Sequence, residues 1–158
     1  DHIFIGTGND LAILVKQNPG CPEDTKMIFT FQKRIYGFEC DIYGHLNNAN
    51  YLQLLEAARS EASIEMNLPV GVLKDMGVQM FVYRFELNYL KAVDLEEIAT
   101  VKSCFSEISR LKGIWHQEVY NAKGEKCLDA LLTVVFASEG KAKRLPVEVY
   151  EQFRLYLE

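Results

Sequence analysis

The 158-residue chain has no surplus of basic residues: 17 Lys and Arg stand against 22 Asp and Glu, a formal charge of −5. A groove for a polyanion needs a clustered basic face, so nucleic acid is not an expected partner, short of a local basic patch. No apolar run approaches the roughly 18 residues of a membrane span. The first residues lack the charged-then-apolar order of a signal peptide, and the chain is read as cytoplasmic, with no membrane partner. Its cysteines, Cys21, Cys40, Cys104 and Cys127, show none of the C-x-x-C spacings of zinc or thioredoxin-like sites, and free thiols in a reducing cytosol are the simplest account. Repeats and low-complexity tracts are also missing.

What is present is the composition of a globular protein, 49% hydrophobic and 25% charged, enough for a sizeable core in one domain. The chain starts at Asp1 and the segment "QNPGCPEDTK" is turn-rich, so residues 1–26 are read as a tag remnant, an extension or a packed arm, with no choice among them. The domain itself is placed at 27–158. "MIFTFQKRIY" sets Phe29, Phe31 and Ile35 on one side of a strand. "ANYLQLLEAARSEASIEMN" then spaces Tyr51, Leu54, Leu55, Ala58, Ala62 and Met66 as a helix, with Leu52 and Ala57 widening the stripe, which predicts deep packing. Asn50 followed by Gln53 reads as a capping box, Asn47 and Asn48 add acceptors, and Pro69 and Gly71 mark the end.

Beyond the helix the period changes to two. "QMFVYRFELNYL" alternates Phe81, Tyr83, Phe85, Leu87 and Tyr89 against polar or smaller residues, the pattern of a strand with one face buried. "EEIATVKSCFSEI" and "RLKGIWHQEVYNA" follow, "NAKGEK" reads as a hairpin turn, and "CLDALLTVVFAS" as a central strand covered on both faces. "LPVEVYEQFRLYL" closes the chain as a helix with Pro146 in its first turn. One long helix on one face of a mostly antiparallel sheet of about five strands is the economical α+β solution.

The polar residues gather just before the long helix, in "ECDIYGHLNNANY". A helix amino end carries unpaired amides and about half a positive charge, so it can hold an oxyanion. Gly44 allows a close approach there, and Asp41 lies in the loop that runs beside the mouth. A carboxylate beside an oxyanion site is half of an acyl-transfer apparatus. The same residues also fit a purely structural role, with asparagines as caps, Gly44 in a turn and Asp41 closing an Asx-turn. On spacing alone the two readings stay open. His45 by itself is more often a structural partner than a base.

The run "DIYGHLNNANYLQLLEAAR", Asp41 to Arg59, resembles the signature of hotdog-fold acyl-CoA thioesterases of the 4-hydroxybenzoyl-CoA thioesterase type, and the element order agrees with that fold from about Phe29 to Ala137. The resemblance implies a curved antiparallel sheet wrapped around one central helix. It implies Asp41 as nucleophile or general base, and amides around Asn47 to Asn50, Asn48 first, as the oxyanion hole. Gly44, Asn47 and Tyr51 would meet substrate, and His45 and Tyr51 would line the site or brace its loop. It implies an acyl-CoA substrate, with acyl carrier protein the other carrier, no metal or redox cofactor, and a homodimer or homotetramer with the site at the subunit interface.

Glu39, two positions before Asp41, is expected to share a proton with it. Glu56 is a rival carboxylate, read instead as the ion-pair partner of Arg59 three residues on. Lys141, Lys143 and Arg144 suit the phosphates of coenzyme A or a solvated loop. Phe81, Tyr83 and Phe85 suit an acyl pocket or plain core. Other expectations are a hotdog module that binds acyl-CoA without hydrolysis, for which Asp41 is superfluous, and a hotdog dehydratase, which needs a histidine paired with an acid across the interface.

Overall fold

The computed structural model describes residues 27–158; the reading of 1–26 lies outside the described residues. Strand β1 (Phe29–Arg34) leads through a 3-10 turn at Gly37–Glu39 and a polar loop into helix α1 (Asn50–Glu65). A short helix α2 (Val70–Asp75) follows, then β2 (Gln79–Tyr89), β3 (Ile98–Ile108), β4 (Lys112–Tyr120), β5 (Lys126–Ser138), a two-residue strand β6 (Lys141–Ala142) and helix α3 (Val147–Arg154). The strands form one antiparallel sheet in the order β1-β3-β4-β5-β2, with β6 on β5. This is the hotdog arrangement, a sheet curved about one long helix.

Helix α1 buries Tyr51, Leu54, Leu55, Ala58 and Ala62 against the inner face of the sheet. The core falls into two clusters along it. Near the amino end Tyr51, Leu54 and Leu55 meet Ile35, Val93 and Leu128; near the carboxyl end Ala62 and Met66 meet Trp115, Phe136 and Phe153. The burial is one-sided: Leu52 and Ile64 are exposed, so α1 is less enclosed in a single chain than its wide stripe predicts. Its end comes before Pro69, with Asn67 in the left-handed region (φ 58°), and Pro69 caps α2, which the sequence pattern did not reveal. The "NAKGEK" turn forms as expected, Asn121 Oδ1 accepting from the amides of Lys123 and Glu125.

Two strands depart from expectation for one reason, their place in the sheet. The alternation in β2 is real, yet β2 is an edge strand with a register shift between Val82 and Arg84, and Tyr83 is 75% exposed. Phe81 and Val82 are likewise exposed among the described residues, whereas Met80, Phe85 and Leu87 pack against the core. Strand β5 is central, but only one of its faces is fully buried; Leu131, Thr133 and Val135 on the other are half-buried.

Between the two core clusters runs a polar seam. Gln117 of β4, fully buried, donates from Nε2 to the Leu55 carbonyl (3.1 Å) and to Ser103 Oγ (2.9 Å), and its Oε1 accepts from Arg59 Nη1 (2.7 Å). The Arg59 guanidinium also lies 5.6 Å from the centre of the Phe85 ring. Burial lowers the Arg59 pKa to about 10, with the charge of Glu56 opposing the shift, so it stays a cation at neutral pH. The expected Glu56–Arg59 ion pair is not among those of the described residues: Arg59 turns inward to Gln117 and Glu56 remains exposed.

Replacing Gln117 by Leu strips the acceptor from a largely buried cation. Chemical denaturation should show a loss of about 2–3 kcal/mol, the usual cost of leaving one partner of a buried charged hydrogen bond unpaired. Adding Arg59→Met should recover part of that loss; an unchanged midpoint for Gln117→Leu contradicts the seam's role.

Candidate active site

The loop before α1 is tied down at its root. The Glu39 carbonyl accepts from the Asn47 amide (2.9 Å) and from Asn50 Nδ2 (2.8 Å), and Cys40 pairs with Leu46. Glu39 is itself buried; its carboxylate accepts from the Tyr36 amide (3.0 Å) and pairs with Lys33. Glu39 anchors the loop: among the described residues its carboxylate bonds to Lys33 and Tyr36, and the expected link to Asp41 is not among its hydrogen bonds.

Asp41 stands at the base of the turn that this root supports. Its Oδ1 accepts from the Tyr43 amide (2.9 Å) and the His45 amide (3.3 Å), its own amide donates to the His45 carbonyl (2.8 Å), and Gly44 returns a bond to its carbonyl (3.1 Å). Gly44 takes φ 79°, a backbone conformation that glycine reaches without steric cost. The Asx-turn anticipated as a structural role is therefore present, and it leaves the second carboxylate oxygen, Oδ2, without a partner among the described residues. His45 Nε2 lies 3.6 Å from Asp94 Oδ1, and the two residues bridge as strand partners. Around this turn Phe38, Ile42 and Tyr43 are exposed apolar side chains, Ile42 at 91%.

At the mouth of α1 the cap is one turn earlier than the sequence suggested. Asn47, not Asn50, supplies it: Asn47 Oδ1 accepts from the Ala49 amide (2.9 Å), and its carbonyl accepts from Asn50 (2.9 Å) and Tyr51 (3.3 Å). Asn50 is the first helical residue and spends its side chain on Glu39, so no capping box with Gln53 forms. The amides of Asn47, Ala49, Asn50 and Tyr51 are thus all bonded. Among the described residues, no acceptor meets the amide of Asn48.

Tyr89 braces this mouth, a role that its place in an alternating strand did not signal. Its hydroxyl donates to the Asn48 carbonyl (2.9 Å), and its ring meets Tyr51 edge-on at 5.4 Å. Tyr51 is buried, and burial, helped by the neighbouring Cys127, pushes its hydroxyl up to about 12, so it stays protonated. The pKa of the Cys40 thiol, beside Asp41, is raised by burial and by the charges of Asp41 and Glu39, which disfavours its thiolate form.

Asp41, Gly44, His45, Asn47, Asn48 and Tyr51 thus gather at one helix end, and the basic cluster does not join them. Lys141 pairs with Ser138 at the far end of β5, whereas Leu128, opposite Tyr89, marks the mouth. At about 3.3 Å per residue that is a separation of roughly 30 Å within the chain. Lys143 and Arg144 line a cleft there with Gly77, Val78 and Phe136.

The profile of the thioesterase superfamily matches residues 43–128. The chain belongs to that superfamily, and the reaction class is thioester hydrolysis. Among relatives, the long-chain acyl-CoA thioesterase FadM of Escherichia coli is 28% identical over 118 residues, 74% of this chain and 89% of FadM. Among solved structures, SAV2348 of Staphylococcus aureus, determined in complex with CoA, aligns with a TM-score of 0.77 at 14% identity, over 83% of this chain and 84% of the other. Slr0204, a 1,4-dihydroxy-2-naphthoyl-CoA thioesterase from Synechocystis, aligns at 0.74 and 14%, over 81% and 96%. At such identities the solved structures speak for the fold alone. No helix among the described residues is long and apolar enough to cross a membrane.

The reassigned cap is testable by denaturation. Asn47→Ala should cost about 1 kcal/mol, as for other lost caps, while Asn48→Ala should stay within about 0.5 kcal/mol of the parent. The reverse ranking would return the cap to a later residue.

Proposed function

We propose that the domain at 27–158 hydrolyses an acyl-CoA thioester to the free acid and coenzyme A, with Asp41 as the catalytic carboxylate and the Asn48 amide as an oxyanion donor. The observation that carries this reading is the amide of Asn48, left over when every neighbouring amide of the first turn is bonded. A thioester oxygen on that amide would gain the hydrogen bond and the favourable end of the helix dipole as its charge grows. The substrate class rests on the likeness to FadM and on the CoA complex of a protein with the same fold.

Two routes use the same parts. In one, the Asp41 carboxylate attacks the carbonyl carbon, the C–S bond breaks, the thiolate leaves to be protonated, and water hydrolyses the acyl-aspartyl anhydride. In the other, Asp41 takes a proton from water as that water attacks, and the proton passes to the departing sulfur. The amides of Tyr43 and His45 fix the carboxylate for either route. Free rotation of that side chain would cost much of the advantage of proximity.

The unit that we propose to be active is a pair of chains. Strand β2 offers eleven residues of open edge, with Phe81, Val82 and Tyr83 exposed along it. Antiparallel pairing of two β2 strands would cover those residues and satisfy the open backbone groups. Such a pair sets the Gln79 end of one chain beside the Tyr89 end of the other, because the strands run in opposite directions. Lys141, Lys143 and Arg144 of the partner subunit, which lie near that Gln79 end, would then approach the first chain's helix mouth. They would meet the CoA phosphates there, and acyl carrier protein remains the other carrier to be compared.

Thiol release from a series of acyl-CoA substrates tests the assignment. Asp41→Asn should lower kcat by about 10²–10⁴ with an unchanged fold by circular dichroism; a variant with full activity would refute it. Light scattering after gel filtration should return at least a dimer, and Tyr83→Arg should shift it toward monomer with loss of activity. A stable monomer that turns over normally contradicts the shared site.

A further inference from the structure

On the outer face of the sheet, turned away from α1, Cys104 of β3 and His116 of β4 stand directly opposite each other. The residues after α3 run alongside: the Phe105 amide donates to the Tyr156 carbonyl (2.7 Å), and the Glu158 amide donates to the Phe105 carbonyl (2.6 Å). This docking carries the Glu158 side chain over the pair. Its Oε2 is 3.2 Å from His116 Nδ1 and 3.9 Å from Cys104 Sγ. The Cys104, His116 and Glu158 donor atoms all fall within 4.8 Å of one another. They border a cavity of about 80 Å³, lined also by Ile28, Lys102 and Glu118.

We propose that Cys104, His116 and Glu158 form a zinc site that fastens the segment after α3 to the sheet. Zinc favours tetrahedral sulfur, nitrogen and oxygen donors at about 2.3, 2.0 and 2.0 Å, which puts its donors about 3.3 to 3.6 Å apart. The nitrogen–oxygen separation of 3.2 Å is just under that range, the sulfur–oxygen separation of 3.9 Å has a few tenths of an ångström to close, and sulfur and nitrogen lie within 4.8 Å of each other. The fourth position faces the cavity, where water fits.

The histidine carries the second mark of a metal ligand. Its other nitrogen, Nε2, is 3.1 Å from Asp129 Oδ1, and Lys126 in turn approaches that carboxylate at 3.7 Å. A carboxylate on the far nitrogen holds a ligating imidazole in one tautomer and raises its basicity. Zinc would displace the thiol proton of Cys104 and leave His116 neutral, its remaining proton on Nε2 toward Asp129. One thiolate and one carboxylate then balance the charge of the ion. In the free chain, burial opposes a charge on His116, but its bonds to Asp129 and Glu158 outweigh that and raise its pKa, so zinc competes with a proton. The site lies on β3 and β4, apart from Asp41 in the loop before α1.

Cobalt(II) titration of the metal-stripped full chain tests the proposal, because a thiolate ligand adds a sulfur-to-cobalt charge-transfer band that oxygen and nitrogen donors do not. One equivalent should produce the band together with tetrahedral visible absorption, and zinc should bleach both. Cys104→Ser, near-isosteric, should abolish the band, whereas Cys21→Ser, Cys40→Ser and Cys127→Ser keep it. Asp129→Asn should weaken zinc about 10- to 100-fold in competition with a chromophoric chelator. Zinc should also raise the melting temperature of the parent and not that of Cys104→Ser. Absence of the band in the parent, or its persistence in Cys104→Ser, overturns the site and leaves His116 as an ion-paired histidine.

Discussion

The carbonyl oxygen of Glu39 takes two hydrogen bonds, from the backbone of Asn47 and the side chain of Asn50, and the geometry of the candidate site depends on that oxygen. It joins the end of a 3-10 turn to the start of the long helix, so the loop between them becomes a closed unit. Within that unit Asp41 has few ways to move, because its Oδ1 is held by two amides of its own turn. The buried carboxylate of Glu39, paired with Lys33 and bonded to Tyr36, fixes the root from the other side. The catalytic reading and the structural reading of this loop are therefore not rivals. The hydrogen bonds that make the Asx-turn would also hold the Asp41 carboxylate in place for the proposed catalytic role.

The sheet sets a second constraint. Its edge strand β2 carries exposed apolar side chains on backbone that has no strand partner on its outer side among the described residues, while the mouth and the basic cluster sit at opposite ends of the neighbouring β5. Both features have one resolution in the proposed antiparallel pair, since it buries the edge and exchanges the ends. In such a pair the exposed Phe38, Ile42 and Tyr43 beside Asp41 would help shield a thioester from water.

Much of this was legible in the sequence. Periods of 3.6 and 2 placed α1 and the strands, and the run from Asp41 to Arg59 located the polar loop. What was not legible depends on where a side chain finds its partner. Asn47, Asn48 and Asn50 are equivalent in propensity, and only the fold decides which of them caps, which ties back to Glu39 and which has an amide that meets no acceptor among the described residues. Arg59 and Glu56 have ideal helical spacing for an ion pair, but Gln117, fifty-eight residues on, offers Arg59 a buried acceptor instead. Tyr89 looked like one more member of an apolar row, because its hydroxyl's partner, the Asn48 carbonyl, lies forty-one residues away. The Cys104, His116 and Glu158 cluster is assembled from two strands and the residues after α3, so no local spacing marks it.

The most direct measurement of the central claim is a crystal structure of the Asp41→Asn variant with an intact acyl-CoA bound. The thioester oxygen is predicted to lie within about 3 Å of the Asn48 amide nitrogen, with the side chain of residue 41 facing the carbonyl carbon directly or through one water. A thioester bound with its oxygen elsewhere, or with residue 41 turned away from it, would contradict the account.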